Sequence, residues 1–145
     1  MSCWQRRGVA CAGLSPLRPG IAMGSGAALI DIRSDSQIAR DGTIAGALII
    51  ARNVLEWRLD PASAHRHPQA PTLADQVILL CDEGYQSSLA AATLQQLGFP
   101  RATDVDGGFQ AWRQAGLPVD PPGSSGHKPG PATNCGRNSR PGRAS

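Results

Sequence analysis

The sequence predicts an α/β domain in which a small parallel sheet is flanked by helices on both faces. Short apolar runs rich in branched residues ("ALIDI", "GALIIA", "VILLC", "ATDVD") alternate with segments of helical pattern, and most of the connections between them are short. Strands that alternate with helices in this way pair in parallel and bury both faces of the sheet. With 145 residues, 41% of them apolar, the chain has material for one domain and one modest core.

The first strand is "ALIDI", residues 28–32, and Ser34 after it is placed to cap a brief helix. Residues 46–51, "GALIIA", read as a second buried strand, approached through Gly42 and Gly46. Asn53 is then in position to cap "VLEWRLD", which Pro61 stops. Residues 61–76 hold three prolines and no period, which predicts a connecting loop. "VILLC" is the clearest strand. From Ser87, the residues Ala90, Leu94 and Leu97 recur at helical spacing, with Gly98 as a C-cap and Pro100 beyond it. "ATDVD" supplies one more strand. Gly107 and Gly108 then turn the chain into "FQAWRQAG", a helix with Phe109 and Trp112 on one face.

The flanks differ from this middle. All eleven acidic residues lie between Asp31 and Asp120, where seven basic residues leave a net of −4. The formal charge of +3 therefore belongs to the ends. Residues 120–145 are rich in Gly, Pro and Ser, with sparse charges and no aromatic interleaving, so a disordered tail is expected rather than a nucleic-acid or membrane contact. Residues 1–26 read as a poorly structured leader or a degenerate first element: Ser15 and Pro16 suit a helix start, but Pro19, Gly20, Gly24 and Gly26 break any helix beyond them. Met23 is an internal candidate start. No apolar run approaches the roughly 20 residues needed to span a bilayer. The four cysteines, Cys3, Cys11, Cys81 and Cys135, form no close pairs, which fits reduced thiols in the cytoplasm and no zinc cluster.

Cys81 ends the strand "VILLC", and in parallel sheets sites form beyond the carboxyl ends of strands. A free thiol, with a pKa of about 8.5, becomes a good nucleophile only where its surroundings favour the anion. A helix starting near Ser87 offers unpaired N–H groups and the positive end of its dipole. If residues 82–86 curl around the sulfur, their amides form a nest, and Gly84 supplies the freedom such a curl needs. Ser87 and Ser88 can cap the helix or donate to the same anion. The same cradle would stabilise a persulfide. The plainer alternative is a small apolar residue ending a strand. Against it stand the completed apolar run before Cys81 and the polar, glycine-containing stretch after it.

"VILLCDEGYQSSLAAATLQQLGF" followed by "DVDGGFQAW" resembles the rhodanese domain. "LIDIRS" is similar to that family's first signature and "DGTIAGALIIARN" to its second, with Thr43 and Ala45 replacing the usual histidine and proline. The resemblance covers residues 27–119, and the family's first strand and helix would fall on residues 12–26. It implies a sulfurtransferase that carries sulfane sulfur on Cys81 in a loop of Asp82, Glu83, Gly84, Tyr85, Gln86 and Ser87. The expected partners are a small sulfur donor and a thiol or cyanide acceptor, with a protein persulfide as a further candidate donor or acceptor. No cofactor, metal, nucleic acid or membrane is implied.

Phosphatase relatives of this fold need five residues after the cysteine and then an arginine to clamp the oxyanion. Ser87 occupies that position. Family members favouring thiosulfate tend to carry basic loop residues, whereas Asp82 and Glu83 are acidic. Arg52 and Arg58 form a candidate substrate rim, and Asp31 and Arg33 are expected to be structural. His65 and His67 in a proline-rich loop read as surface, and Trp57 and Trp112 as packing residues. The alternative function is a catalytically weak binding or redox-sensing module built on the same cysteine.

Overall fold

The computed structural model describes residues 26–123. The expected leader, the degenerate first element before Gly26, Cys3, Cys11, Cys135 and the tail beyond Gly123 lie outside the described residues. Four strands, β1 (Ala28–Asp31), β2 (Leu48–Ile49), β3 (Val77–Leu80) and β4 (Ala102–Asp104), form one sheet in the order β2-β1-β3-β4. Every pairing is parallel, with Ile30 opposite Leu48, Ala28 opposite Val77 and Val77 opposite Ala102. The helices are α1 (Asp35–Asp41), α2 (Leu55–Leu59), α3 (Tyr85–Leu97) and α4 (Gly108–Gln114).

Alternation along the strands sorts their side chains between two cores. Ile30, Val77, Leu79 and Cys81 face α2 and α3, packing with Leu55, Leu59, Ala90, Ala91, Leu94 and Phe99. Leu29, Ile78 and Leu80 face the other way, against Phe109 and Trp112 of α4 together with Ile44 and Val105. β3 is buried on both faces, as its uninterrupted apolar sequence requires.

Local chemistry sets the helix ends. Ser34 accepts from the Gln37 amide while the Gln37 side chain accepts from the Ser34 N–H, a reciprocal capping box at the start of α1. α3 closes at Gly98 in the left-handed region. The expected Asn53 cap is absent: Ala51 and Val54 occupy the cap positions of a 3-10 turn, Arg52–Val54, and of α2, neither with a side-chain cap bond. Burial of Leu55 and Leu59 holds α2 in place of a cap. The second strand shrinks from 46–51 to two residues, although Ile50 still donates to the Asp31 carbonyl. Asp120, assigned by its sequence to the tail, pairs with Thr43 through two backbone hydrogen bonds of 2.7 and 3.0 Å. Trp112 is buried and donates to the Pro118 carbonyl, but Trp57 is 51% exposed and stacks on His65, so only the former packs in the core.

A buried ion pair fastens the end of β1 to the α4 side of the sheet. Arg33 donates to both Asp31 oxygens, at 3.0, 3.1 and 2.7 Å, and its Nη2 also donates to the Gly42 carbonyl. Its guanidinium lies 3.7 Å from the centroid of the Phe109 ring. Removing one partner of such a pair leaves the other buried and uncompensated. Asp31→Ala is expected to lower the unfolding free energy in urea by about 3–5 kcal/mol. A loss below about 1 kcal/mol would mean that Gly42 and Phe109 hold Arg33 without the carboxylate.

Candidate active site

Cys81 follows the last residue of β3, at the carboxyl end of the sheet, and the chain turns through Asp82, Glu83 and Gly84 directly into α3. The helix starts at Tyr85, two residues before the position expected from its apolar repeat, because Gly84 takes the cap at φ 93°. This conformation, which side chains other than glycine adopt at a cost, turns the Gly84 N–H onto the Cys81 sulfur at 3.0 Å. The Ser87 N–H approaches the same atom at 3.4 Å, and the Ser87 hydroxyl oxygen lies 3.2 Å from it.

The loop carbonyls face the opposite way and are satisfied by the start of α4. The Phe109 N–H donates to the Cys81 carbonyl at 2.7 Å and the Gln110 N–H to the Asp82 carbonyl at 3.0 Å. That approach leaves no room for a side chain at Gly108, where a Cβ would stand 2.5 Å from the Cys81 oxygen and 2.7 Å from the Gly84 nitrogen. Amides inward and carbonyls outward make the loop an anion nest.

The sulfur is nearly buried, with Cys81 4% exposed, and lies in the wall of an open cleft of about 740 Å³. Arg33, Gln37, Arg52, Asn53, Tyr85 and Gln86 line the same cleft, as do Asp82 and Glu83. Asp82 is engaged by the Gln110 amide at 2.9 Å and by Arg40 at 3.4 Å, which offsets its charge. Arg40 and Gln110 also hold Asp41, whose carboxyl lies below its ordinary range chiefly through the Arg40 hydrogen bond. Glu83 is exposed. Of the two candidate rim arginines, Arg52 lines the cleft and pairs with Glu56 at 2.8 Å, whereas Arg58 is directed to the His65 carbonyl and is not part of the lining. Asp31 supports Arg33 from beneath, and its Oδ1 also accepts the Arg33 amide.

Gln110 and Arg40, which hold Asp82, were not anticipated, and neither was Asp104. Asp104, the last residue of β4, is 3% exposed and accepts a hydrogen bond from the Ser87 hydroxyl at 3.2 Å. Burial pushes its carboxyl up to about 6, against the lowering effect of the Ser87 bond and with a further rise from the charge of Asp106. The short strand segment "ATDVD" carries two carboxylates, Asp104 and Asp106, and nothing local distinguishes the buried one. Among the described residues no cluster of His, Cys, Asp and Glu is arranged to hold a metal ion, and no helix is long and apolar enough to cross a membrane.

A family model described as the Rhodanese-like domain matches residues 21–115. The chain belongs to the rhodanese-like domain family. A curated relative named sulfurtransferase, from Allochromatium vinosum, is 32% identical over 94 residues, spanning 65% of this chain and 78% of its own. The rhodanese-like fold here is also similar to the human single-domain sulfurtransferase TSTD1, with a TM-score of 0.61 and 30% identity over 70% of this chain and 95% of that one. A Rhodopseudomonas palustris protein of unknown function, described as a possible tyrosine phosphatase, gives a TM-score of 0.68 and 33% identity over 74% of this chain and 83% of its own. In this rhodanese-like chain Thr43, which replaces the histidine of the second signature, makes the backbone pair with Asp120.

Gly108→Ala is expected to displace the loop and to cost about 2 kcal/mol in urea unfolding, with the Gly84 and Ser87 amide resonances shifting most. Unchanged resonances at those two amides would disprove the packing dependence. Asp104 generates a second expectation. The folded carboxyl keeps its proton up to about 6 while the unfolded one releases it near 3.8, so folding is disfavoured as pH rises through that window, by up to about 3 kcal/mol. Asp104→Asn is neutral throughout, and its stability relative to the parent chain should increase from pH 4 to pH 7 in urea titrations. A difference that stays flat with pH would refute the burial argument.

Proposed function

We propose that this chain is a sulfurtransferase that accepts sulfane sulfur on Cys81 as a persulfide and passes it to a thiophilic acceptor. The observation that carries the reading is the convergence of the Gly84 N–H, the Ser87 N–H and the Ser87 hydroxyl on one sulfur that opens to a cleft. In the first half-reaction the Cys81 thiolate attacks the outer sulfur of the donor, an S–S bond forms, and the donor's own bond to that sulfur breaks with its electron pair. In the second, an acceptor nucleophile takes the outer sulfur and returns the thiolate. The donors in view are small sulfane-sulfur compounds and protein persulfides, and the acceptors are thiols and cyanide. The relatives named sulfurtransferase support sulfur transfer as the class of reaction.

The loop is poorly suited to phosphoryl transfer. The residue six places after the cysteine is Ser87, a buried hydroxyl bonded to Asp104, where an oxyanion clamp would require a guanidinium. Engagement of Asp82 by Arg40 and Gln110 moderates the acidity of the entrance, which leaves Glu83 and Arg52 to act on an incoming donor. The acidic Asp82–Glu83 pair is the feature favouring a redox-sensing module as the second reading.

Incubation with thiosulfate, mercaptopyruvate and a small-molecule persulfide in parallel, followed by intact-mass measurement, tests the proposal. At least one donor should add the mass of one sulfur atom, and Cys81→Ser should abolish the addition. Addition at Cys3, Cys11 or Cys135 instead, or rapid sulfenylation of Cys81 with no turnover to cyanide or a thiol, would overturn it in favour of the module.

A further inference from the structure

Ser87 has a single hydroxyl hydrogen and two groups that compete for it. Its oxygen stands 3.2 Å from Cys81 Sγ on one side and 3.2 Å from Asp104 Oδ2 on the other, and all three residues are buried. The geometry points to Asp104 as the proton partner of Cys81, a positioning residue that acts on the sulfur through Ser87. This rests on the reading of Cys81 as the reactive thiol.

Two arrangements satisfy the chain of three groups. In the first, Asp104 is ionised and takes the Ser87 hydrogen, and the Cys81 thiol donates its own proton to the Ser87 oxygen. In the second, the thiol proton has passed to the Ser87 oxygen while the Ser87 proton has passed to Asp104 Oδ2. The carboxyl is then neutral and donates to Ser87, whose hydrogen points at the sulfur anion. One proton has moved from sulfur to carboxyl, no bond between heavy atoms has changed, and the total charge is the same.

The surroundings hold one proton within this trio of groups. An ionised Asp104 beside an anionic sulfur would place two negative charges in one dry pocket, so after the first proton is lost the second is retained, on the sulfur or on the carboxyl. β3 and α3, the elements packed on β4, carry no charged side chain, and the titratable Tyr85 of α3 is exposed. The acids nearby are Asp106 after β4 and Asp82 and Glu83 in the loop, and among the described residues no cation pairs with Asp104. Burial pushes its carboxyl up to about 6, which narrows the gap between a carboxyl and an ordinary thiol. A neutral carboxyl supporting Ser87 would likewise leave the serine hydrogen free for the outer charge of a persulfide.

The test is the pH dependence of iodoacetamide alkylation, quantified on the peptide that carries Cys81. It needs no sulfur donor, so its outcome is separate from that of the persulfide experiment. Two coupled groups sharing a proton give two steps separated by more than about one pH unit, the lower near the Asp104 titration. The parent chain should show both steps, and Asp104→Asn and Ser87→Ala should each show one. A single step in the parent chain, or two steps retained in either variant, overturns the proposal. Should the variants fail to fold, carbon-13 titration of the Asp104 carboxyl gives the answer: two inflections are expected in the parent chain and one in Cys81→Ala. An Asp104 titration indifferent to Cys81 overturns it equally.

Discussion

The constraint on which the site depends is the docking of the start of α4 against the loop after β3. A nest needs several consecutive amides pointing inward, which forces the neighbouring carbonyls outward, where they would be buried without partners. The Phe109 and Gln110 N–H groups supply those partners. They are among the donors that a helix start leaves unpaired, so one element's unsatisfied groups complete another's. The absence of side chains at Gly84 and Gly108 permits this contact, since their backbones approach to van der Waals distance or closer once a Cβ is imagined.

The same helix supports the site in two further ways. Phe109 lies under the Arg33 guanidinium and so joins α4 to the buried ion pair at the end of β1. Gln110 fastens the Asp82 carboxylate, with Arg40 of α1 on the other side. An acidic residue beside the cysteine therefore contributes to positioning, and its charge is partly matched before any donor arrives. The cleft beside the sulfur is also lined by Glu83, Arg52 and Tyr85.

Much of this was readable from the chain because it is local. The apolar runs, the Ser34 cap, Gly84 between strand and helix, and Ser87 six places after Cys81 all act within a few residues of one another. Asp104 and Gln110 escaped notice because their roles are set by contacts 17 and 28 residues away in sequence, with Ser87 and Asp82, and no local pattern encodes them. Asn53 illustrates the opposite case. It has good capping chemistry, yet the turn that contains it is fixed by the burial of Leu55 and Leu59 and begins one residue earlier, so the cap falls on Ala51. Trp57 misled for a related reason: an aromatic residue in an amphipathic turn predicts burial, and here it covers a histidine on the surface instead.

The all-parallel sheet has a consequence for how the chain emerges during synthesis. No strand pair can close through a tight turn, and each waits for a partner far along the chain, as Ala28 does for Val77 and Val77 for Ala102. The sulfur's surroundings are completed only by Asp104, Phe109 and Gln110, so a nascent chain that has released Cys81 but not yet Gln110 presents a thiol whose loop carbonyls still lack their partners. The hydrogen-bonded cradle of that sulfur is thus a property of the finished domain and not of the cysteine-bearing segment.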